Sequence, residues 1–243
     1  MKSLLIIGGK SDIGKEIAKQ FICNGFNIIL AGRNIENDNS FIDELSALSK
    51  NFIKNINFDI CDFQNHKEFY KKMNPKPDGV VLVSGYMADQ KNAEIDFEES
   101  LNTINVNYLG PVSILNIIAN EMEKSEKGFI IGISSVAGDR GRRSNYIYGS
   151  SKAAFSTYLS GLRNRLSTSN IQVLTVKPGF VFTKMTKHLD LPSILTAKPE
   201  KVAKDIFNAY KKRKSILYTK GIWRLIMLII KIIPETIFKR MGL

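Results

Sequence analysis

Cysteine is almost missing from this chain: Cys23 and Cys61 are the only thiols in 243 residues. Without metal-type spacing the pair builds neither a disulfide framework nor a metal centre, so no metal is expected and both read as small buried hydrophobes. Histidine is equally scarce, with two residues, and His188 reads as a surface side chain. Acids are in deficit: 23 Asp and Glu face 35 Lys and Arg, a formal net charge of +12. No nucleic-acid motif or aromatic-rich basic groove accompanies that charge, so nucleic acid is not expected as a partner. An anionic membrane surface or a phosphorylated substrate suits it better. The apolar start, Met1 to Gly8, is too short for a secretory signal and reads as a strand. A cytoplasmic location is expected.

What is present is an alternation of strand-length apolar runs with helical stretches. The length suits one α/β domain. Strands are expected at 3–8, 27–32, 53–58, 79–83, 129–133, 171–176 and 215–218. Helices are expected up to about Asn24, over 37–50, near 63–74, around 104–111, from about Tyr146 to Leu166, and over 199–213. That pattern implies a Rossmann-like, doubly wound parallel sheet of about seven strands with helices on both faces.

The first strand runs into Gly8-Gly9-Lys10-Ser11-Asp12-Ile13-Gly14. A glycine turn between strand and helix lets a pyrophosphate approach the backbone and sit against the helix amino end. Asp12 is read as the N-cap of that helix. The second strand ends at Arg33, where an NAD site would place an acid; an arginine suits a 2′-phosphate. Arg33, with Lys10, favours NADPH over NAD.

Tyr148 and Lys152 stand four residues apart on the expected helix, one above the other on one face. The ammonium is expected to stabilise phenolate and bring the tyrosine pKa down from about 10 toward working pH. Ser135 follows the apolar run Phe129–Ile133 and can polarise a carbonyl beside that tyrosine.

Ser135 with Tyr148-x-x-x-Lys152, behind the glycine turn, resembles the short-chain dehydrogenase/reductase family. The resemblance implies Asn107 as the helix asparagine that bends its helix and holds a water in the proton relay. It implies Asp59, followed by Ile60, as the adenine contact. Gly85 is what remains of the family's Asn-Asn-Ala-Gly, in Ser84-Gly85-Tyr86. Pro178-Gly179-x-Val181-x-Thr183 matches the run that holds the nicotinamide carboxamide. Ile7 and Asp12 depart from the family's threonine and middle glycine. Short motifs in the glycine turn and after Gly85 are similar to those of one branch, the reductases acting on decaprenylphosphoryl 2-keto-ribose. That likeness implies a polyprenylphosphate-linked keto-sugar as substrate, and the family implies a homodimer or homotetramer.

Arg140, Arg142 and Arg143, near the expected substrate mouth, could hold a phosphate bidentately or form a solvated basic loop. Residues 184–198 are expected to be a substrate lid. The reductase domain is expected to end at 219, leaving 220–243 as a basic amphipathic tail. Its apolar stretch, Gly221–Ile233, makes about 20 Å of helix against a hydrocarbon core of about 30 Å, too short to span. Two readings of the tail stay open: a helix in the membrane surface with Trp223 at the interface, or one packed on the domain or another subunit. Rival functions are a reductase of a soluble or lipidic ketone whose tail serves oligomerisation, and a nucleotide-binding sensor without turnover.

Overall fold

Apolar runs too short for helices become strands: β1 (Ser3–Ile7), β2 (Asn27–Gly32), β3 (Ile53–Asn57), β4 (Gly79–Leu82), β5 (Phe129–Ile133), β6 (Gln172–Lys177) and β7 (Ile216–Tyr218). In this computed structural model, which describes residues 1–37, 39–187 and 189–242 and Asn37 by its backbone alone, they pair in parallel in the order β3-β2-β1-β4-β5-β6-β7. Strand order therefore reverses between β1 and β4, and a crevice opens beyond their carboxyl ends.

Alternate strand residues feed two cores, as period-two geometry requires. Leu4, Ile6, Ile28 and Leu30 meet α1 (Asp12–Ile22), α2 (Asn39–Leu48) and α8 (Pro199–Lys211) on one face. Leu5, Ile7, Val80 and Leu82 meet α3 (His66–Lys71), α6 (Gly110–Ser125) and α7 (Tyr146–Leu166) on the other. The remaining helices lie at the carboxyl edge of the sheet or follow it: α4 (Gln90–Ile95), α5 (Phe97–Ile104), α9 (Ile222–Ile232) and α10 (Glu235–Phe238).

Several local expectations change. The stretch 63–74 holds only a 3-10 turn (Phe63–Asn65) and the short α3, and 37–50 begins with a 3-10 turn (Ile35–Asn37) before α2. Cys23 is exposed and Cys61 half-buried, so neither thiol is a core hydrophobe. His188 lies outside the described residues. The tail is not loose: Trp223 and Met227 of α9 are buried and pack with Val136, Phe180 and Leu195.

Phe21 anchors the first core, edge-on to Phe26 at 5.1 Å and to Phe207 at 5.0 Å. With no exposed surface, its truncation leaves a cavity that rigid neighbours cannot fill. Phe21→Ala is expected to cost about 3–5 kcal/mol, read as a lower urea midpoint with an unchanged slope.

Candidate active site

Gly8 ends β1 at φ +94°, and a Cβ there would lie 2.5 Å from the Ser84 nitrogen. Only glycine brings the ends of β1 and β4 that close. The next cap corrects the sequence reading: Ser11, not Asp12, is the N-cap of α1, accepting from Gly14 N at 3.1 Å and donating to Gly8 O at 2.8 Å. Asp12 turns its carboxylate to the lid and accepts from Lys184 N at 2.7 Å. Its charge is thus engaged by a backbone N–H.

The cleft has two halves. One, of about 340 Å³, is lined by Gly8, Lys10, Arg33, Asp59 and Ile60; the other, of about 290 Å³, by Asp12, Ile13, Ser135, Tyr148, Lys152, Pro178, Gly179, Val181 and Thr183. Lys10, Ser11, Val83, Ser84, Gly85 and Met185 border both. Gly9 and Gly14 are not among the lining residues of either half; a Cβ on Gly9 would meet Leu30 and Ile35, and one on Gly14 would meet Gly8 O. Within the shared strip the Ser84 hydroxyl is buried without a hydrogen-bond partner. A bare glycine turn, a helix amino end and an orphaned hydroxyl fit a dinucleotide laid across both halves. Arg33 is exposed at the rim, and Lys10 beside it donates to Asn34 O at 3.2 Å.

Ser135 follows β5 and accepts from Ala137 N at 3.1 Å, which fixes its side chain at the cleft. Tyr148 lines the same half of the cleft as Ser135, close enough for the serine hydroxyl to favour its phenolate, and its own hydroxyl is enclosed although the residue as a whole keeps some exposure. Lys152 is buried, its Nζ 5.7 Å from the Tyr148 ring centroid and 3.2 Å from Ile133 O. The electrostatics reverse the expectation from spacing. Burial pushes the phenol up to about 12, and the Ser135 hydroxyl opposes it only in part. Burial brings Lys152 down to about 8. Desolvation dominates both shifts.

Asn107 lies in one turn of π-helix (Asn105–Leu109) joining α5 to α6, fully buried. Both ends of its amide hold one residue: Oδ1 accepts from Tyr86 N at 3.0 Å and Nδ2 donates to Tyr86 O at 2.6 Å. It braces the loop after β4 from outside the cleft, close to Lys152: a Cβ on Gly85 would lie 3.4 Å from Asn107 Oδ1 and 3.6 Å from Lys152 Nζ.

Two arginines of the basic loop are engaged, and Arg143 is exposed. Arg140 donates to Ile233 O at 2.6 Å and pairs with Glu235 at 2.9 Å, so it caps the carboxyl end of α9. Arg142 approaches Met227 Sδ at 3.2 Å. Trp223, expected at an interface, is buried, with its Nε1 donating to Leu195 O at 3.0 Å. Lys220 precedes α9 instead of joining its charged face and donates to Thr196 O at 3.1 Å. A Cβ on Gly179 would fall 2.0 Å from the Trp223 ring. The wall of the cleft therefore rests directly on the tail.

Sequence reading missed three supporting groups. Ser134 donates to Lys152 O at 2.9 Å and shares a 2.7 Å hydrogen bond with Ser156, tying α7 to β5. Buried Asp139 pairs with Lys177 and accepts from Tyr218 at 2.6 Å, fixing the loop after Ser135. Met185 was hidden inside the lid stretch. Ser134, adjacent to Ser135, was the only one with a visible signal.

A doubly wound sheet with this cleft at its switch point has the form of a dinucleotide-binding domain. The family model described as short chain dehydrogenase matches residues 2–192. An oxidoreductase of Mycobacterium tuberculosis, of uncharacterised activity, is 31% identical over 241 residues, covering 98% of this chain and 96% of that one. A short-chain dehydrogenase from Sphingobium yanoikuyae in complex with NADPH has TM-score 0.79 at 18% identity, with 97% of each chain covered. A 3-oxoacyl-(acyl-carrier protein) reductase from Brucella melitensis with bound NAD has TM-score 0.79 at 20% identity, covering 89% and 88%. The chain belongs to the short-chain dehydrogenase family and is an NAD(P)-dependent oxidoreductase.

Lys152 gives a pH signature. Its folded pKa of about 8 lies below the ordinary 10.5, so between those values the unfolded chain binds the extra proton and stability rises with pH. Lys152→Met is expected to abolish that rise, on the order of 3 kcal/mol across the whole window. Urea midpoints of both proteins from about pH 8 to 10, below the range where Tyr148 responds, measure it.

Proposed function

We propose that this chain reduces a keto group with NADPH. The observation that carries the reading is the convergence of Ser135 and Tyr148 on one half of the cleft beside buried Lys152, with the Gly8 turn in the other half. A bound nicotinamide supplies the hydride. Ser135 donates to the substrate oxygen and orients it. Tyr148, held up at about 12, keeps its proton at neutral pH and is poised to give it to that oxygen as a C–H bond forms at the carbon. Lys152, near 8, exchanges protons easily at working pH and restores the phenol, and its ammonium form would hold the nicotinamide ribose. Asn107 supports this geometry through Tyr86.

Arg33 and Lys10 at the rim support NADPH over NAD. For the substrate we favour a polyprenylphosphate-linked or related keto-sugar met at a membrane surface. Exposed Phe182, Met185, Leu189 and Ile194 in and beside the lid suit an apolar chain, and Lys184 at the mouth suits a phosphate. One observation favours a soluble or lipidic ketone instead: Arg140 is committed to α9 and not available to a phosphate. Self-association as a homodimer or homotetramer belongs to the same reading, with exposed Leu101 and Leu109 in its support.

Tyr148→Phe is expected to lower kcat at least about 100-fold, with NADPH binding retained. The assay is NADPH oxidation against keto-sugars with and without a prenyl-phosphate anchor; undiminished turnover would defeat the proposed chemistry. Arg33→Ser is expected to lower kcat/KM for NADPH about tenfold or more and leave NADH nearly unchanged. Equal losses with both cofactors would remove the basis for NADPH preference.

A further inference from the structure

The lid closes at its neck: Phe182 N donates to Ala197 O at 3.0 Å and Ala197 N to Phe180 O at 2.9 Å. The tail holds that neck through Trp223 to Leu195 O and Lys220 to Thr196 O. It also props the cleft wall through the Trp223 ring on Gly179. The inner face of α9 is thus filled. Its outer face is bare: Ile222, Leu225, Leu228, Ile229 and Ile232 are each at least 49% exposed. At about 3.6 residues per turn these five lie opposite Trp223 and Met227, with exposed Arg224 and Lys231 along one border of the ridge. Exposed Ile237, Lys239 and Arg240 of and after α10 continue the pattern.

Five large aliphatic side chains in one strip exceed the scattered exposure normal for a surface. From Lys211 onward nine basic residues face one acid, Glu235, and that acid is already paired with Arg140. A second copy of the tail therefore offers these cations no acidic side chain that is not already paired, whereas anionic head groups are acidic throughout. We infer that the outer ridge of α9 lies flat on an anionic bilayer while Trp223 stays seated on the domain, so that docking brings the lid to the lipid surface. The inference rests on the lipid-linked substrate proposed above for its purpose, and on the two-faced helix for its geometry. It differs from the view of the tail as a detachable anchor, because the residues that hold it to the cleft are distinct from those that meet lipid.

The test is cosedimentation of the full chain with vesicles of equal parts phosphatidylglycerol and phosphatidylcholine, against phosphatidylcholine alone. Binding is expected to the first and to be much weaker to the second. Leu228→Ser combined with Ile232→Ser, both exposed and away from the cleft, is expected to lower the partition at least about tenfold without changing NADPH binding. Trp223 is the only tryptophan, so brominated phosphatidylcholine in the vesicles reports its position. Its emission is expected to stay unquenched on docking. Strong quenching would mean that α9 leaves the domain, and equal partition of the double variant would mean that the ridge does not meet lipid; either overturns the inference. So does a dimer that the same two substitutions dissolve, in a chain that ignores vesicles. Turnover of a soluble ketone by the unsubstituted chain without vesicles separates the claims: its absence counts against the reductase reading alone, and failure of the unsubstituted chain to partition while turnover is intact defeats the docking alone.

Discussion

A phenol and an ammonium group are withdrawn from water together, and the site depends on what that costs. In water a lysine beside a tyrosine would ease the phenol's ionisation; here both polar ends are enclosed and desolvation dominates each. Tyr148 is driven toward its neutral form and Lys152 toward losing its proton. For a group that must hand over a proton, that is a serviceable ground state: the acid is loaded, and its neighbour titrates within reach of neutral pH. The enclosure itself is made by ordinary packing. Ser134 pins α7 to β5, Ile133 O receives the ammonium, and Asn107 fixes Tyr86 where the loop after β4 would otherwise drift.

The same logic explains which parts of the chain could be read in advance. Sheet and helix types were legible because apolar periodicity records burial directly, and each strand's alternate residues face a different core. The cleft residues were legible because Gly8, Ser135 and Tyr148 sit at element ends and Lys152 one helical turn beyond Tyr148, where local spacing and spatial neighbourhood coincide. Asp12 was misread because two candidates for one cap, Ser11 and Asp12, are adjacent, and Lys184, which engages Asp12, is remote in sequence. The direction of the Tyr148 shift was misread because spacing gives the partner's identity but not the depth of water exclusion.

The tail shows the limit most clearly. One apolar helix with cations on its border reads equally well as a membrane helix or as a packed one, since both need an apolar face. The structure contains both faces on the same eleven-residue helix. Trp223 and Met227 satisfy one, and Leu225, Leu228 and Ile232 form the other. A hydropathy pattern sums the two into a single broad apolar stretch, so only the three-dimensional partners could divide it.

That division has a mechanical consequence for the cleft. A glycine at 179 is required because the indole ring of Trp223 occupies the space a side chain would need. Trp223 also bonds the lid neck at Leu195 and stacks edge-on to Phe180 at 5.1 Å. A displacement of α9 therefore must move the cleft wall at Gly179, the lid neck or both, because packed interiors transmit shifts rather than absorb them. The tail is part of the cleft's construction, and a boundary at 219 separates residues by sequence order more than by structure.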